Sequence, residues 1–220
     1  MPLSLPLRRD GGLWRGTSFP AFILLSSFAF GMVGVYAFPK FLLPFTPFHL
    51  CLCLAFVLLG YPRNTARLWW YVFVVFVAGY SVEVAGVQTG LIFGEYQYLH
   101  TLGIKLWGVP PMIGINWVLV TLCGANIGFR LRLPTVLQIV ASVALLLFLD
   151  VLMERVSARY GFWSWTLGEA PLQNFVAWAV CAALFVGLYK KMGLAANFSR
   201  WAVFVYTLQV VFFLWLNILA

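Results

Sequence analysis

The chain has 220 residues, of which 63% are hydrophobic and 9% are charged, and its mean hydropathy is +0.95. Soluble globular domains carry about 25% charged residues, so this composition excludes a soluble domain and indicates a membrane protein. The formal net charge of +8 would be compatible with nucleic-acid binding. The division of the basic residues between the two sides of the membrane, described below, excludes such a partner.

Seven apolar runs are long enough to cross a bilayer, whose core of about 30 Å needs roughly 20 helical residues. They are residues 20–38, 42–60, 68–90, 108–127, 133–155, 171–189 and 200–219. The first run lacks a small-x-small cleavage signature and is interpreted as a retained helix. The predicted fold class is therefore an all-α, polytopic membrane helix bundle of about seven transmembrane helices. It forms a single integral membrane domain over 1–220, with an N-terminal tail at 1–17.

The basic residues predict the orientation of the bundle. With seven spans, one side of the membrane receives Arg8, Arg9, Arg15, Arg63, Arg67, Arg130, Arg132, Lys190, Lys191 and Arg200. The other side receives Lys40, Lys105, Arg155 and Arg159. Basic residues accumulate on the cytoplasmic side, so we expect a cytoplasmic N-terminus and an exported C-terminus in the inner (cytoplasmic) membrane. The positive charge is thus a topology signal, with contact to membrane lipid head groups, and no nucleic-acid partner is expected.

The third span contains a carboxylate among small residues. Gly79, Glu83, Gly86 and Gly90 follow one another at spacings of four, three and four, so they share one helix face. A charge at membrane depth costs at least about 2.5–3.5 kcal/mol, and small residues allow close approach of a backbone or a flat ligand. We expect Glu83 to point into the bundle or a cavity.

The fifth span ends in a second pair of acids. Asp150 and Glu154 are four residues apart and lie on the same helix face. Two carboxyl groups this close in a low dielectric do not both ionise readily, so one is expected to hold its proton near neutral pH. The structural alternative is that these acids, or Glu83, pair with Arg155, Arg159 or Lys105 and pin helix ends.

The two acid-bearing regions resemble each other. In each, an acid is followed after eleven residues by glycine, then by two aromatic residues, and later by a proline that precedes a tryptophan by seven. The first unit contains Glu83, Gly94, Tyr96, Tyr98, Pro110 and Trp117, and the second contains Asp150, Gly161, Trp163, Trp165, Pro171 and Trp178. The pattern predicts two related helical hairpins with a site at their interface.

The aromatic residues of the two loops have two interpretations. Tyr and Trp often form an anchoring belt at the bilayer interface. Beside buried acids, however, aromatic faces can shelter a carbocation through the ring quadrupole, while a protonated carboxyl delivers a proton to an alkene. Such a pocket needs no cofactor. The four cysteines lie in apolar spans without the spacing of a zinc site, so no metal is expected.

Three segments carry a family resemblance: "EVAGVQTGLIFGEYQYLHTLGIKLWGVPPMIGINW" (83–117), "DVLMERVSARYGFWSW" (150–165) and "PLQNFVAW" (171–178). Together they resemble the membrane-integral carotenoid hydratase family, which includes bisanhydrobacterioruberin hydratases, over about residues 79–180. The resemblance implies cofactor-independent addition of water across the terminal double bond of an acyclic carotenoid ψ-end, giving a tertiary 1-hydroxy group. Arg155 and Ile92 stand where the family often has proline, which leaves the particular carotenoid open.

The expected site follows from these residues. The candidate catalytic acids are Glu83, Asp150 and Glu154, with the proton donor left open between them. The candidate substrate-binding residues are Gly86, Gly90, Gln88, Tyr96, Tyr98, Trp163, Trp165 and Asn174. The polyene is expected along the glycine face of the third span. The expected partners are an acyclic, lycopene-like carotenoid, membrane lipids and other enzymes of the carotenoid pathway.

Three alternatives remain open. A lycopene cyclase would protonate the same end group but close a ring, adding no mass. A prenyltransferase would use the D-x-x-x-E spacing of Asp150 and Glu154 for magnesium, although a second acid-rich motif is missing. A proton-coupled transporter or carotenoid-binding protein would use the acids as a relay and leave end groups unchanged.

Overall fold

The computed structural model describes residues 18–62 and 65–219; the predicted N-terminal tail and Arg63 lie outside these ranges. The described residues contain eight α-helices and two short strands. In chain order these are α1 (Ser18–Ala37), α2 (Pro39–Leu42), α3 (Thr46–Leu59), α4 (Ala66–Thr89), β1 (Tyr96–Tyr98), α5 (Met112–Gly128), α6 (Thr135–Glu154), β2 (Trp163–Trp165), α7 (Leu172–Lys191) and α8 (Arg200–Leu219).

The predicted membrane bundle of about seven helices is confirmed. Among the described residues, six helical segments are long and apolar enough to span a membrane, with Pro39–Leu59 counted as one, and α5 is a shorter apolar helix. The segment Pro39–Leu59 is interrupted by a 3₁₀ turn at Leu43–Phe45. The prolines at 44 and 47 account for the interruption, because proline lacks the N–H that a continuous helix requires.

Helix α5 is the centre of the bundle. Of its 17 residues, 13 are buried, and it packs against α3, α4, α6, α7 and α8. A helix that is apolar all round belongs in such a position. It begins at Met112, later than the predicted 108, because Leu106 and Val109 form a bridged turn before it and Pro111 occupies its N-cap.

The two predicted hairpins meet through their aromatic segments. The sequence predicts loops there, and the structure adds a three-residue strand to each, paired antiparallel with Gln97 opposite Ser164. These two residues are equivalent in the internal repeat. A later equivalent pair, Trp117 and Trp178, stacks with ring centroids 4.0 Å apart. Residues at the centre of the contact therefore face their equivalents, as a twofold axis between the hairpins would require.

The strand pairing divides the aromatic and polar side chains of these segments. Because side chains alternate across a strand, the four aromatic residues share one face, and Gln97 and Ser164 lie on the other. Tyr98, Trp163 and Trp165 are buried, whereas Gln97 is exposed. The aromatic face of the ladder thus covers the end of the bundle, and the polar face is turned outward.

Basic residues gather at the opposite end of the bundle. The Arg130 guanidinium lies 4.0 Å from the centroid of the Phe198 ring, and the Lys190 ammonium lies 5.3 Å from that of Phe129. These contacts join the last turn of α7 and the segments that follow α5 and α7. In the described residues, the acids and the basic residues that the sequence predicts to be cytoplasmic therefore belong to opposite ends of the bundle.

Replacing Gly79 by valine tests the packing of α4 against α5. A Cβ at Gly79 would lie 2.7 Å from the ring of Trp117, and overpacking a core costs about 1–3 kcal/mol. We expect Gly79→Val to lower the free energy of unfolding by that amount, measured by thermal unfolding in detergent. The matched control is Gly187→Val, since a Cβ at Gly187 meets nothing within 4 Å. Equal stability of the two variants would contradict the packing.

Candidate active site

Glu83 is buried, with 3% of its surface exposed, and it accepts three hydrogen bonds. Its Oε2 accepts from the hydroxyl of Tyr96 at 2.5 Å and from that of Tyr98 at 2.8 Å. Its Oε1 accepts from Nε1 of Trp117 at 3.0 Å. All three partners are neutral donors, so the carboxylate is compensated by hydrogen bonds rather than by ion pairing with Lys105, whose ammonium donates to the carbonyl of Tyr98.

The two tyrosines remain donors in this environment. Burial raises the pKa of the phenols of Tyr96 and Tyr98 above the ordinary value, and the neighbouring Glu83 carboxylate raises both pKa values further. A phenol whose pKa is raised keeps its proton at neutral pH. Both hydroxyl groups therefore supply the protons of their hydrogen bonds to Glu83.

Glu154 is held in the same manner by the second hairpin. Its Oε2 accepts from Nε1 of Trp163 at 3.0 Å and from Nε1 of Trp165 at 2.7 Å. Its Oε1 accepts from Nδ2 of Asn174 at 3.3 Å. In each hairpin, two aromatic donors of the strand and one donor of the following helix thus hold a carboxyl group.

The acid that makes the same contacts as Glu83 is not the acid that the spacing of the repeat matches to it. By sequence spacing Asp150 corresponds to Glu83, but Glu154, one helical turn later, makes the equivalent contacts. Asp150 is fully buried, and its Oδ2 lies 3.5 Å from Nδ2 of Asn174. Its Oδ1 has no hydrogen-bond partner among the described residues. Asn174 therefore connects the two carboxyl groups of α6.

A small chamber lies between Glu83 and Glu154. Its volume is about 20 Å³, and it is lined by the two glutamates, Tyr96, Tyr98, Ile113, Asn116, Trp163, Trp165, Asn174 and Trp178. A cavity needs at least about 10–15 Å³ to hold one water molecule, so the chamber has room for about one water. Asp150 is not among its lining residues.

An apolar groove of about 470 Å³ adjoins the chamber. Its walls come mainly from α1, α3 and α8 and from the segment between α1 and α3. Phe41 and Phe45 of that segment and Phe48 of α3 are exposed on the outer surface. Ile113, Asn116 and Trp163 line both the groove and the chamber. The groove therefore leads from the surface that faces lipid towards the carboxyl groups.

The expected path of the polyene along the glycine face of α4 is corrected by the structure. The Trp117 ring packs against Gly79, and the Phe93 ring packs against Gly86. Gly90 ends the helix in a left-handed conformation, with φ of 67°. The chain's own side chains and the helix terminus therefore use this face, which leaves the neighbouring groove as the space for a long ligand.

Gln88 also lies away from its expected place. Its side chain is exposed and donates to the carbonyl of Trp107 at 3.0 Å. Gln88 does not line the chamber. It lies five residues after Glu83 on α4, and at about 100° per residue this places Gln88 roughly 140° from Glu83 around the helix.

The structure adds site residues that the sequence analysis did not propose. Trp117 and Trp178 served there only as markers of the repeat, yet Trp117 binds Glu83 and Trp178 lines the chamber. Asn116 lines both chamber and groove. Its signal in the sequence is an amide side chain in an apolar span, a position at which polar residues are often functional.

The carboxyl oxygens are poorly placed for a metal. Within residues 18–62 and 65–219, no group of three or more His, Cys, Asp or Glu residues could hold one. Both oxygens of Glu83 and of Glu154 accept hydrogen bonds from N–H or O–H groups. A cation would have to displace these donors from the oxygens that it needs.

The fold and the site define a polytopic helical membrane protein with buried carboxyl groups at the end of an apolar groove. The family described as "Carotenoid biosynthesis protein" matches residues 45–220, and the chain belongs to this family. A relative, the bisanhydrobacterioruberin hydratase of Haloarcula japonica, is 27% identical over 122 residues. The match covers 50% of this chain and 40% of the length of that relative. No solved structure matches the chain significantly.

Removing one donor tests the hydrogen bonding of Glu83. Tyr98→Phe deletes a buried hydroxyl that donates to the carboxylate, and hydrogen bonds to charged groups contribute about 1.5–3 kcal/mol. We expect a loss of stability of that order, measured by thermal unfolding in detergent. Tyr36→Phe is the control, because Tyr36 is 70% exposed. Equal stability of both variants would show that the Tyr98 hydroxyl does not support Glu83.

Proposed function

We propose that this protein adds water across the terminal double bond of an acyclic carotenoid by acid catalysis, giving a tertiary alcohol. The observation that carries the proposal is a water-sized chamber between two carboxyl groups, located where an apolar groove ends. Membership in the carotenoid biosynthesis family and the similarity to a named hydratase support the choice of substrate class and reaction.

The groove is the proposed binding site of the polyene. An extended apolar chain can enter from lipid near Phe41, Phe45 and Phe48 and lie between α1, α3 and α8. Its end group then reaches Ile113, Asn116 and Trp163, the residues that the groove shares with the chamber. Because lipid tails are as apolar as the groove, the polyene is held there by close packing against the groove walls rather than by a hydrophobic driving force.

The donor geometry suggests different roles for the acids. Glu83 receives three hydrogen bonds of 2.5–3.0 Å, an environment suited to a carboxylate that accepts a proton from water. Asp150 has one long contact and one buried oxygen without a described partner, and an uncompensated buried charge is costly. We therefore assign one proton to the pair Asp150 and Glu154. Glu154 delivers it through Oε1, whose one hydrogen bond, from Asn174, is 3.3 Å long, and Glu154 lines the chamber whereas Asp150 does not.

The reaction balances with water as the only added reactant. The proton of the carboxylic acid forms a C–H bond at one alkene carbon, which leaves a tertiary cation at the other. Water forms the C–O bond and gives a proton to Glu83. Transfer of that proton from Glu83 to Glu154 through the next water in the chamber restores the starting state. General acid–base catalysis of this kind contributes about 10²–10⁴-fold.

The aromatic side chains suit a cationic intermediate. Tyr96, Tyr98, Trp163, Trp165 and Trp178 surround the chamber, and ring faces attract a nearby cation. The N–H and O–H edges of four of them point at the two glutamates. The same residues can therefore orient the carboxyl groups and stabilise the cation.

The charge distribution supports an orientation within the proposal. The basic residues of the described chain that follow α5 and α7 lie at the end opposite the acids, and basic residues accumulate on the cytoplasmic side. We place the chamber in the exported half of a bundle in the cytoplasmic membrane. Other carotenoid enzymes remain proposed partners, since substrate and product both stay in the lipid phase.

Replacing the acids singly tests the proposed function. In a host that accumulates lycopene, the protein should give a product heavier than lycopene by one water, detected by chromatography with mass spectrometry. Glu83→Gln and Glu154→Gln should each lower its formation by about 10²–10⁴-fold, and Asp150→Asn by less. Glu169→Gln, on an exposed loop, is the control.

The same measurement separates the alternatives. A product of unchanged mass but altered retention would indicate cyclisation. Unmodified carotenoid that copurifies with the protein would indicate binding or transport. Full hydration by both glutamine variants would contradict the assignment of the acids.

A substitution in the groove tests the path of the polyene. Ser27 lines the groove, whereas Ser26 beside it is exposed and does not. We expect Ser27→Phe to fill part of the groove and raise the KM for the carotenoid several-fold, with a smaller change in kcat. Ser26→Phe should leave both constants unchanged. Equal effects of the two variants would place the polyene elsewhere.

A further inference from the structure

A second cavity lies on the outward side of the strand ladder. This polar cleft has a volume of about 440 Å³ and includes the last residues of α4 and both strands. Its polar lining residues are Gln88, Thr89, Glu95, Gln97, Ser164 and Thr166. It therefore offers water several hydrogen-bonding partners, which an ordered water requires.

The polar cleft is separated from the chamber by two aromatic side chains. Tyr96 and Trp165 line both cavities, and their ring centroids are 4.9 Å apart. On the chamber side, the Tyr96 hydroxyl donates to Glu83 and the Trp165 N–H donates to Glu154. The division between cleft and chamber thus consists of two rings, each hydrogen-bonded to a different carboxyl group.

The apolar groove reaches the chamber from another direction. It shares Ile113, Asn116 and Trp163 with the chamber, and none of the described residues lines both groove and cleft. A polyene in the groove would fill that approach, and a hydrocarbon environment supplies no water. The water that the reaction consumes therefore needs a separate path.

We propose that the polar cleft binds and admits the water that reacts, and that Tyr96 and Trp165 form the gate between cleft and chamber. This inference rests on the proposed hydration. One water is consumed for each double bond, its oxygen forming the C–O bond and one of its protons replacing the proton that the acid gave to carbon. No other reactant has to come from the aqueous phase.

The gate also limits the amount of water beside the carboxyl groups. The chamber holds about one water, and excess water near the acids would stabilise their charged forms and so weaken proton delivery by Glu154. A small displacement of the Trp165 or Tyr96 ring admits one molecule from the cleft. When the rings return, their hydrogen bonds to Glu154 and Glu83 are restored and the chamber is closed to the cleft.

Two substitutions that fill the polar cleft test the inference. Ser164→Trp adds bulk at the centre of the ladder, and Thr166→Trp adds bulk at an exposed position, where folding tolerates it. Glu169→Trp lies in the same loop outside the cleft and is the control. Each full-length variant is purified in lipid nanodiscs and incubated with lycopene, and all products are separated and weighed.

The informative quantity is the ratio of two products. A cation that captures no water loses a proton and gives hydrocarbon isomers of the same mass as the substrate. We expect both cleft variants to form several-fold less alcohol and to show a several-fold higher ratio of isomers to alcohol than Glu169→Trp. Unchanged alcohol formation, or an equal fall of both products, would overturn the water path. Absence of alcohol with the unmodified protein would instead overturn the proposed hydration.

Discussion

The structure depends on the compensation of carboxyl groups inside a membrane bundle. Glu83 and Glu154 are each held by three hydrogen bonds from neutral donors, two from a strand and one from the following helix. A buried charge without such partners costs several kcal/mol. These donors reach the two carboxyl groups because of the position of the strands, the points at which α5 and α7 begin, and the stacking of Trp117 on Trp178.

The internal repeat gives this compensation its form. Each hairpin supplies the donors for its own acid, with tyrosines in the first and tryptophans in the second. A hydroxyl and an indole N–H extend to different positions from the backbone. The acid that they reach accordingly shifts by one turn, from the position of Glu83 to that of Glu154 rather than Asp150. Asp150 is therefore a third carboxyl group, separated from the chamber and held by one long hydrogen bond from Asn174.

The two approaches to the chamber between the acids differ in polarity. Apolar walls lead to it from the lipid-facing surface, and a polar cleft approaches it from the outer face of the ladder. Inside lies a space for about one water. In the proposed hydration, these two approaches keep an insoluble polyene and a polar reactant apart until they meet between the carboxyl groups.

Much of the protein was determined by its sequence alone. Apolar run lengths define the spans because the bilayer requires them, and the placement of the acids and the repeat mark the candidate site. Tertiary structure alone decided which acid matches Glu83, that Trp117 and Phe93 cover the glycines of α4, and that the groove lies by α1, α3 and α8. These features depend on side-chain reach between residues far apart in the chain, such as Glu83 and Trp117, which no local spacing encodes.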